Sequence, residues 1–395
     1  MVNAYYTNTR FSGDDKAGSS IGAAGAGEFG NGRSVNNITT GLLPNYLSVS
    51  GKSRQNDLDI AFTISINPGS STENAGIQTA QQENRQAFLT IGDASWGSVK
   101  VGKDLGIYAS DAILNDMTLL GVGSAAGSLA GNTTTLGRIG RGYMYADWKA
   151  QIAYTTPNWN GFQATVGVTQ GWNALAGTGM GSAGSTQRSG ASPAFEAKAQ
   201  YAWTGDVAGK VWASAISQRV QGLNNGVTAV AATAFTGPNG TTPTAVTGSA
   251  NTLTDTNDRA TAWDLGTNLN VGNLGLTAYY GQGKGIGHTV QLADGFDNAG
   301  KRRDSDQWYV QATYALPTAT KIGVAYGESK LDGNRRDSYS ELESTMWTVG
   351  AYHPLTKSVN LVAEYSEAED SLNRRVGSTL DVKAKTVSLG AILFF

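Results

Sequence analysis

The stretch KAKTVSLGAILFF, Lys383 to Phe395, closes the chain. Val387, Leu389, Ala391, Leu393 and Phe395 fall on one face, while Thr386, Ser388 and Gly390 fall on the other. Side chains of a β-strand change face at every residue, so the stretch presents one apolar wall and one wall of small or polar groups. A strand of a soluble sandwich shows the same alternation, with its apolar wall turned to a core. Here the apolar wall ends in a free aromatic, which fits a strand that crosses a bilayer and leaves its last ring at the membrane interface.

The remaining sequence agrees. At 395 residues the chain is long enough for two or three ordinary domains or for one large barrel. Lys and Arg number 29 against 31 Asp and Glu, so no net field recruits nucleic acid or an acidic substrate. The absence of cysteine excludes disulfides, thiolate metal sites and a Cys nucleophile. No run approaches the ~18 uninterrupted apolar residues of a spanning helix. Mean hydropathy is polar, which a barrel tolerates because every second residue faces water. No charged and apolar leader precedes Val2, as expected of a mature exported chain or of one in which Met1 replaces the leader.

Helical periodicity is almost absent. Short alternating runs are joined by connections that are alternately tight and long. The tight ones, such as 54–57, 93–96, 158–161, 204–209, 272–273, 317–320 and 354–357, carry the Gly, Asn, Asp and Pro chemistry of hairpin turns. The long ones cover about 11–40, 68–84, 104–143, 171–193, 220–258, 284–304, 330–340 and 368–382. The runs between them predict about sixteen strands, with both termini on the tight-turn side. Long connections gathered on one side argue against a sandwich or propeller, and residues 1–395 read as a single transmembrane antiparallel β-barrel domain. The first strand, Val2 to Thr9, is expected to be short.

Face by face, Phe195, Ala197, Ala199, Tyr201 and Trp203 oppose Glu196, Lys198 and Gln200, and Trp308, Val310, Ala312 and Tyr314 oppose Gln307, Gln311 and Thr313. Aromatics gather at the ends of the apolar faces. Trp148, Trp263, Trp308 and Tyr365 lie toward the long loops, and Tyr201, Trp203, Tyr314 and Phe395 toward the tight turns. Two aromatic girdles around an aliphatic band mark a lipid-facing wall. The face of Glu341 to His353 is ambiguous, since Trp347 and Val349 share parity with Glu341 and Glu343.

The segment NRQAFLTIG, Asn84 to Gly92, followed by GSVKVGK, Gly97 to Lys103, is similar to the fourth and fifth strands of Gram-negative general diffusion porins of the β-proteobacterial type. With the terminal aromatic and the strand rhythm, the chain resembles that family over essentially its whole length. The resemblance implies an integral outer-membrane barrel, a third loop folded into the lumen, a homotrimer latched by loop 68–84, and contact with outer-membrane lipid and lipopolysaccharide. The loop after Lys103 departs from the family in lacking an acidic Pro-Glu-Phe type motif.

A barrel of this size encloses water, so whatever narrows the lumen sets passage. The long connection after Lys103, about 104–143, is the best candidate. Ser110 caps a predicted helix over 111–120 that Gly121 ends, and Ile113, Leu114, Met117, Leu119 and Leu120 call for cover. By parity Lys52, Lys100, Lys149 and Lys198 point into the lumen, toward Asp104, Asp111 and Asp116 on the loop and Arg138 and Arg141 on its return. Opposed charges across a narrow gap set up a transverse field that favours small hydrophilic solutes and ions. Inward Asp59, Glu196, Asp264 and Glu364 partly cancel the lysines, leaving a slight lean to anions. Outward Lys383 and Lys385 suit lipopolysaccharide phosphates, a neighbouring subunit or snorkelling.

No catalytic residues, metal ligands or cofactor are expected. His288 and His353 stand apart from any serine placed to use them. The runs Asp255–Asp258 and Asp294–Asn298 are oxygen-rich but lack the spacing of a calcium loop. Gly281, Gly283, Gly285 and Gly287 read as a smooth lumen wall or flexible exit. The competing functional readings are a substrate-specific channel and a structural component of a larger envelope assembly.

Overall fold

The computed structural model describes residues 1–13, 34–71, 82–123, 133–172, 192–223, 256–297 and 300–395. Most of the expected long connections 11–40, 68–84, 171–193 and 220–258, the suggested latch included, lie outside the described residues. The described chain is an antiparallel sheet with almost no helix. Its strands are β1 (Val2–Gly13), β2 (Ser34–Thr39), β3 (Leu47–Gln55), β4 (Leu58–Pro68), β5 (Gln82–Glu83), β6 (Ala87–Asp93), β7 (Gly97–Leu105), β8 (Trp148–Thr155) and β9 (Phe162–Thr169). They continue as β10 (Ala194–Trp203), β11 (Val207–Leu223), β12 (Thr256–Val271), β13 (Leu274–Lys284), β14 (Asp304–Ala315), β15 (Lys321–Asp332), β16 (Tyr339–Pro354), β17 (Val359–Arg374) and β18 (Leu380–Leu393).

Among the described residues the sheet therefore has eighteen strands, not the sixteen expected. The two additional strands, β2 and β5, lie within the expected long connections 11–40 and 68–84 and are set off from β3 and β6 by short breaks. Residues 40–46 leave the ladder between β2 and β3, because Asn3 recruits their backbone. Its Oδ1 accepts from Gly41 N–H at 3.0 Å, and its Nδ2 donates to Leu43 O and Pro44 O at 3.0 and 3.1 Å. Pairing resumes when Met1 and Tyr46 exchange backbone hydrogen bonds of 2.8 and 2.9 Å. Residues 84–86 likewise separate β5 from β6, where Arg85 N–H donates to the Asn67 side chain and Gln86 N–H to Ser65 Oγ.

The first strand is not short. β1 continues to Gly13 and pairs with β18 along its length, from Val2↔Leu393 to Gly13↔Val382, and with β2 on its other edge. Two edges that would otherwise template aggregation are thereby covered.

One sheet face is apolar and bare. Val49, Leu265 and Leu389 are 61, 54 and 52% exposed. The opposite face buries polar side chains such as Thr7, Thr348, Ser366 and Thr386. This inverts the arrangement of a soluble sheet, as a membrane wall requires. On β16 the bare face carries Trp347 and Val349, so Glu341 and Glu343 share it near the long-loop end. There Lys330 pairs with Glu328, Lys383 with Glu369 and Lys385 with Glu367, at 2.9, 2.9 and 3.5 Å.

An aromatic ring runs across β12 to β17 at one level. Tyr280 is directly opposite Trp308, and Tyr326 opposite Trp347. Ring centroids of Trp263–Tyr280, Trp308–Tyr326 and Trp347–Tyr365 lie 5.7, 5.3 and 5.2 Å apart. At the tight-turn end Tyr201 stacks on Trp203 at 5.9 Å, and Tyr314 and Phe395 are exposed. Trp148 stands apart from this ring: it is half-buried, with the Arg85 guanidinium 5.5 Å from its ring centre.

Candidate functional site

The described residues between β7 and β8, 106–123 and 133–147, lie against the covered face. They begin at Glu196 on β10, whose Oε2 accepts Ile107 N–H and Tyr108 N–H, both at 2.8 Å. Ala109 then turns with φ 63° and donates its N–H to Ser214 Oγ. Helix α1 (Ser110–Leu114) is shorter than expected. Ser110 does not cap it, because its hydroxyl donates to Ile107 O, and α1 stops at Asn115. A separate 3₁₀ turn, Met117–Leu120, is capped by Asp116, which accepts from Thr118 N–H. Gly121 ends it as predicted, and the position is closed to other residues: a Cβ there would overlap the Glu364 carboxylate.

The loop is fastened strand by strand. Tyr309 OH donates to Ala112 O at 2.8 Å, Gln311 bonds Met117 N–H and Asn115 O, and Glu364 accepts Val122 and Gly123 N–H at 2.8 and 3.0 Å. Tyr5 OH donates to Leu120 O. On the return, Arg138 donates to Met346 O at 2.8 Å, Arg141 pairs with Asp370 at 2.9 Å, and Gly142 N–H donates to Ser329 Oγ. Ala112, Ile113, Ile139 and Tyr143 pack with Trp212, Tyr279 and Tyr309. The loop thus lies over β10, β11 and β13 to β17 and reaches Tyr5 of β1. Leu114, expected to be covered, remains 54% exposed and faces the space left over.

That space opens toward β6 to β10. A cavity of about 350 Å³ is lined by Gln86, Lys100, Asp104, Ser110, Gln151 and Lys198, with Leu114 at its edge. Toward the tight turns, a cavity of about 940 Å³ is lined by Lys52, Arg54, Asp59, Asp93, Asn158 and Gln163. Between the loop and the wall, Asp111 is held by Lys198 at 3.0 Å and Lys210 at 2.5 Å, and Lys100 pairs with Asp104. Burial works against the Asp111 carboxylate, but the two ammonium groups outweigh it and hold its pKa below the usual carboxylate value.

The predicted charges therefore separate into two groups. Lys100, Lys198, Asp104 and Asp111 meet at the gap, and Lys52 is exposed in the larger cavity. Lys149 does not face open space; it is fully buried, pairing with Glu196 at 2.7 Å and donating to Gln291 Oε1 at 2.5 Å. Asp116 is a cap that also accepts from Tyr143 OH at 2.7 Å, and Arg138 and Arg141 are buried fastenings. Each of these four has the expected parity or loop position, yet a neighbouring carboxylate, carbonyl or hydroxyl takes up its charge or hydrogen bond. Lys210 was missed. Its strand carries Trp212 and Ile216 on the covered face and Val211 on the bare one, so apolar alternation did not reveal which face was which. Residues 285–297 of the connection 284–304, expected outside, also turn in: Ile286, His288, Leu292 and Phe296 are buried.

The chain is similar to several solved outer-membrane proteins. The outer membrane channel DcaP of Acinetobacter baumannii superposes with a TM-score of 0.64 at 12% identity, over 98% of this chain and 95% of that one. OmpF of Salmonella typhi gives 0.53 at 14%, over 98 and 96%, and the trimer form of OmpT of Vibrio cholerae gives 0.51 at 12%, over 98 and 98%. At such identities the likeness concerns the fold alone. No curated protein sequence matches. The family model for Gram-negative porins, however, matches residues 2–373, nearly the whole chain, and the protein belongs to that family of outer-membrane β-barrel channels.

Proposed function

We propose that residues 1–395 form one closed barrel whose water-filled lumen carries small hydrophilic solutes and ions by passive diffusion. Passage is set where loop 106–147 faces the wall of β6 to β10. The observation that carries this reading is the one-sided docking of a charged loop on the polar face of a sheet whose other face is bare and apolar. Family membership and the pairing of β1 with β18 support it. At the gap Lys100, Lys198 and Lys210 outnumber Asp104 and Asp111, and Lys52 is exposed beyond them, which favours anions. Purified protein in a planar bilayer should give steps of ohmic conductance, with a reversal potential displaced toward the anion in a salt gradient. Protein that inserts but never conducts in any salt removes the reading.

The assembly we propose is a homotrimer. On β3 to β7 the bare face is apolar without Trp or Tyr, through Val49, Ile64, Leu89, Ile91 and Val101, whereas β12 to β17 carry the interfacial aromatic ring. That contrast suits subunit contact on one arc and lipid on the other. Lys383 and Lys385, each paired with a glutamate, would sit in the lipopolysaccharide headgroup layer. Cross-linking in detergent should yield trimers; only monomers at every protein concentration would reject the assembly.

A further inference from the structure

We infer that segment 285–297, together with Arg303, is a second inward-folded element, locked to loop 106–147 through Gln291, and that it closes the part of the lumen in front of β10 to β12. The inference rests on the diffusion-channel reading above. A loop left in solvent does not bury its apolar residues, yet Ile286, Leu292 and Phe296 are 1, 1 and 2% exposed. They share one dry cluster with three other parts of the chain: Tyr108 and Ala109 at the start of loop 106–147, Met144 and Ala146 on its return, and Ile216, Val220, Ala260 and Ala262 on the inner wall. The segment therefore occupies space that would otherwise be lumen.

Gln291 is the clasp. Its Nε2 donates to Tyr145 O and Ala146 O at 3.2 and 3.3 Å, and its Oε1 accepts from Lys149 Nζ at 2.5 Å. Lys149 is in turn paired with Glu196, the carboxylate that holds Ile107 and Tyr108. One amide side chain thus ties the segment to both ends of the constriction loop. A backbone bond from Tyr145 N–H to Thr289 O at 2.9 Å adds a second tie. Arg303 keeps the segment folded: its guanidinium donates to Asp294 O and Phe296 O and pairs with Asp337 at 2.6 Å. The oxygen-rich run at Asp294 is therefore engaged internally. His288, buried beside this junction, has neither ring nitrogen hydrogen-bonded within the described residues.

A purely protective cover would stabilise the fold without affecting what passes. A restricting element, once loosened, enlarges the channel. Gln291→Ala removes the clasp but leaves Lys149 paired with Glu196, and Phe296→Ser loosens the same segment from its apolar side. Both should retain the strand content of the parent by circular dichroism. Both should raise single-channel conductance roughly 1.5-fold or more and admit larger neutral sugars in liposome swelling. Because the chain has no cysteine, Leu292→Cys provides an independent reading: its thiol should resist a water-soluble maleimide and become reactive when Gln291→Ala is added. A parent that conducts normally, with both variants keeping its conductance and sugar cut-off, overturns the inference and leaves the diffusion-channel reading standing. Prompt labelling of Leu292→Cys alone overturns it as well.

Discussion

Glu196→Gln is the most informative single change at the constriction. The Glu196 carboxylate accepts four hydrogen bonds: two backbone N–H groups at 2.8 Å on one oxygen, and Lys149 Nζ and Thr169 Oγ1, both at 2.7 Å, on the other. An amide presents one acceptor and one donor group, so either orientation places N–H groups against donors. It also removes the charge paired with the buried Lys149 ammonium, which keeps the Gln291 carbonyl as an acceptor. Breaking a buried pair by removing one partner costs about 3–5 kcal/mol, and the surviving amide contact places this case near the lower end, about 3 kcal/mol. The penalty falls on the docked state of loop 106–147, so it shifts docked against released forms by roughly 150-fold. Single-channel recording should show this as excess open-channel noise and brief closures. Because the pair is shielded from solvent, raising the salt should not abolish the effect. Lys149→Met removes the other partner but leaves Glu196 three donors, so its effect should be smaller, about 1–2 kcal/mol. Quiet, parent-like current from a well-folded Glu196→Gln channel would refute the reasoning, as would a larger effect of Lys149→Met.

Three other outcomes follow from the geometry. Lys210→Gln leaves Asp111 with Lys198 alone, and the reversal potential in a salt gradient should move toward cations; an unchanged potential would place Lys210 away from the ion path. Gly121→Ala forces a methyl into the Glu364 carboxylate, and overpacking of this kind costs about 1–3 kcal/mol, to be read as increased current noise and a lowered unfolding temperature. Burial, with a smaller contribution from Arg141 (itself paired with Asp370), lowers the His288 pKa from 6.5 to about 4. A depressed imidazole pKa means that the released segment binds the proton more readily than the docked one. The docked form should therefore weaken as pH falls from about 6.5 to about 4, by up to about 3 kcal/mol. Conductance noise that rises over this range in the parent but not in His288→Gln would bear this out; identical pH profiles would not.

The elements legible in the sequence were those governed by local rules. Alternation in Lys383–Phe395, the aromatic ends of the strands and the tight-turn residues all act within a few positions, so the face of Trp308 or Lys198 follows from its neighbours. The strands within the expected connections 11–40 and 68–84 were less legible; the interruption at 40–46, for one, depends on Asn3, about forty residues earlier in the chain. The segment 285–297 was illegible for a related reason. Its apolar residues are few and spread among glycine and polar residues, and their burial depends on surfaces supplied by loop 106–147 and by β11 and β12.

The sequence by itself thus determined an all-β membrane wall and its two faces, since both depend on the period of the strand. Parity assigns a side chain to a face but does not say whether water or another side chain awaits it there. That was decided only by the tertiary structure. It brings Asp370 to Arg141, 229 positions apart, and Glu196 and Gln291 to Lys149, and so converts expected channel charges into fastenings. It leaves Lys100, Lys198 and Lys210 at the gap, because there the docked loop stops short of the opposite wall.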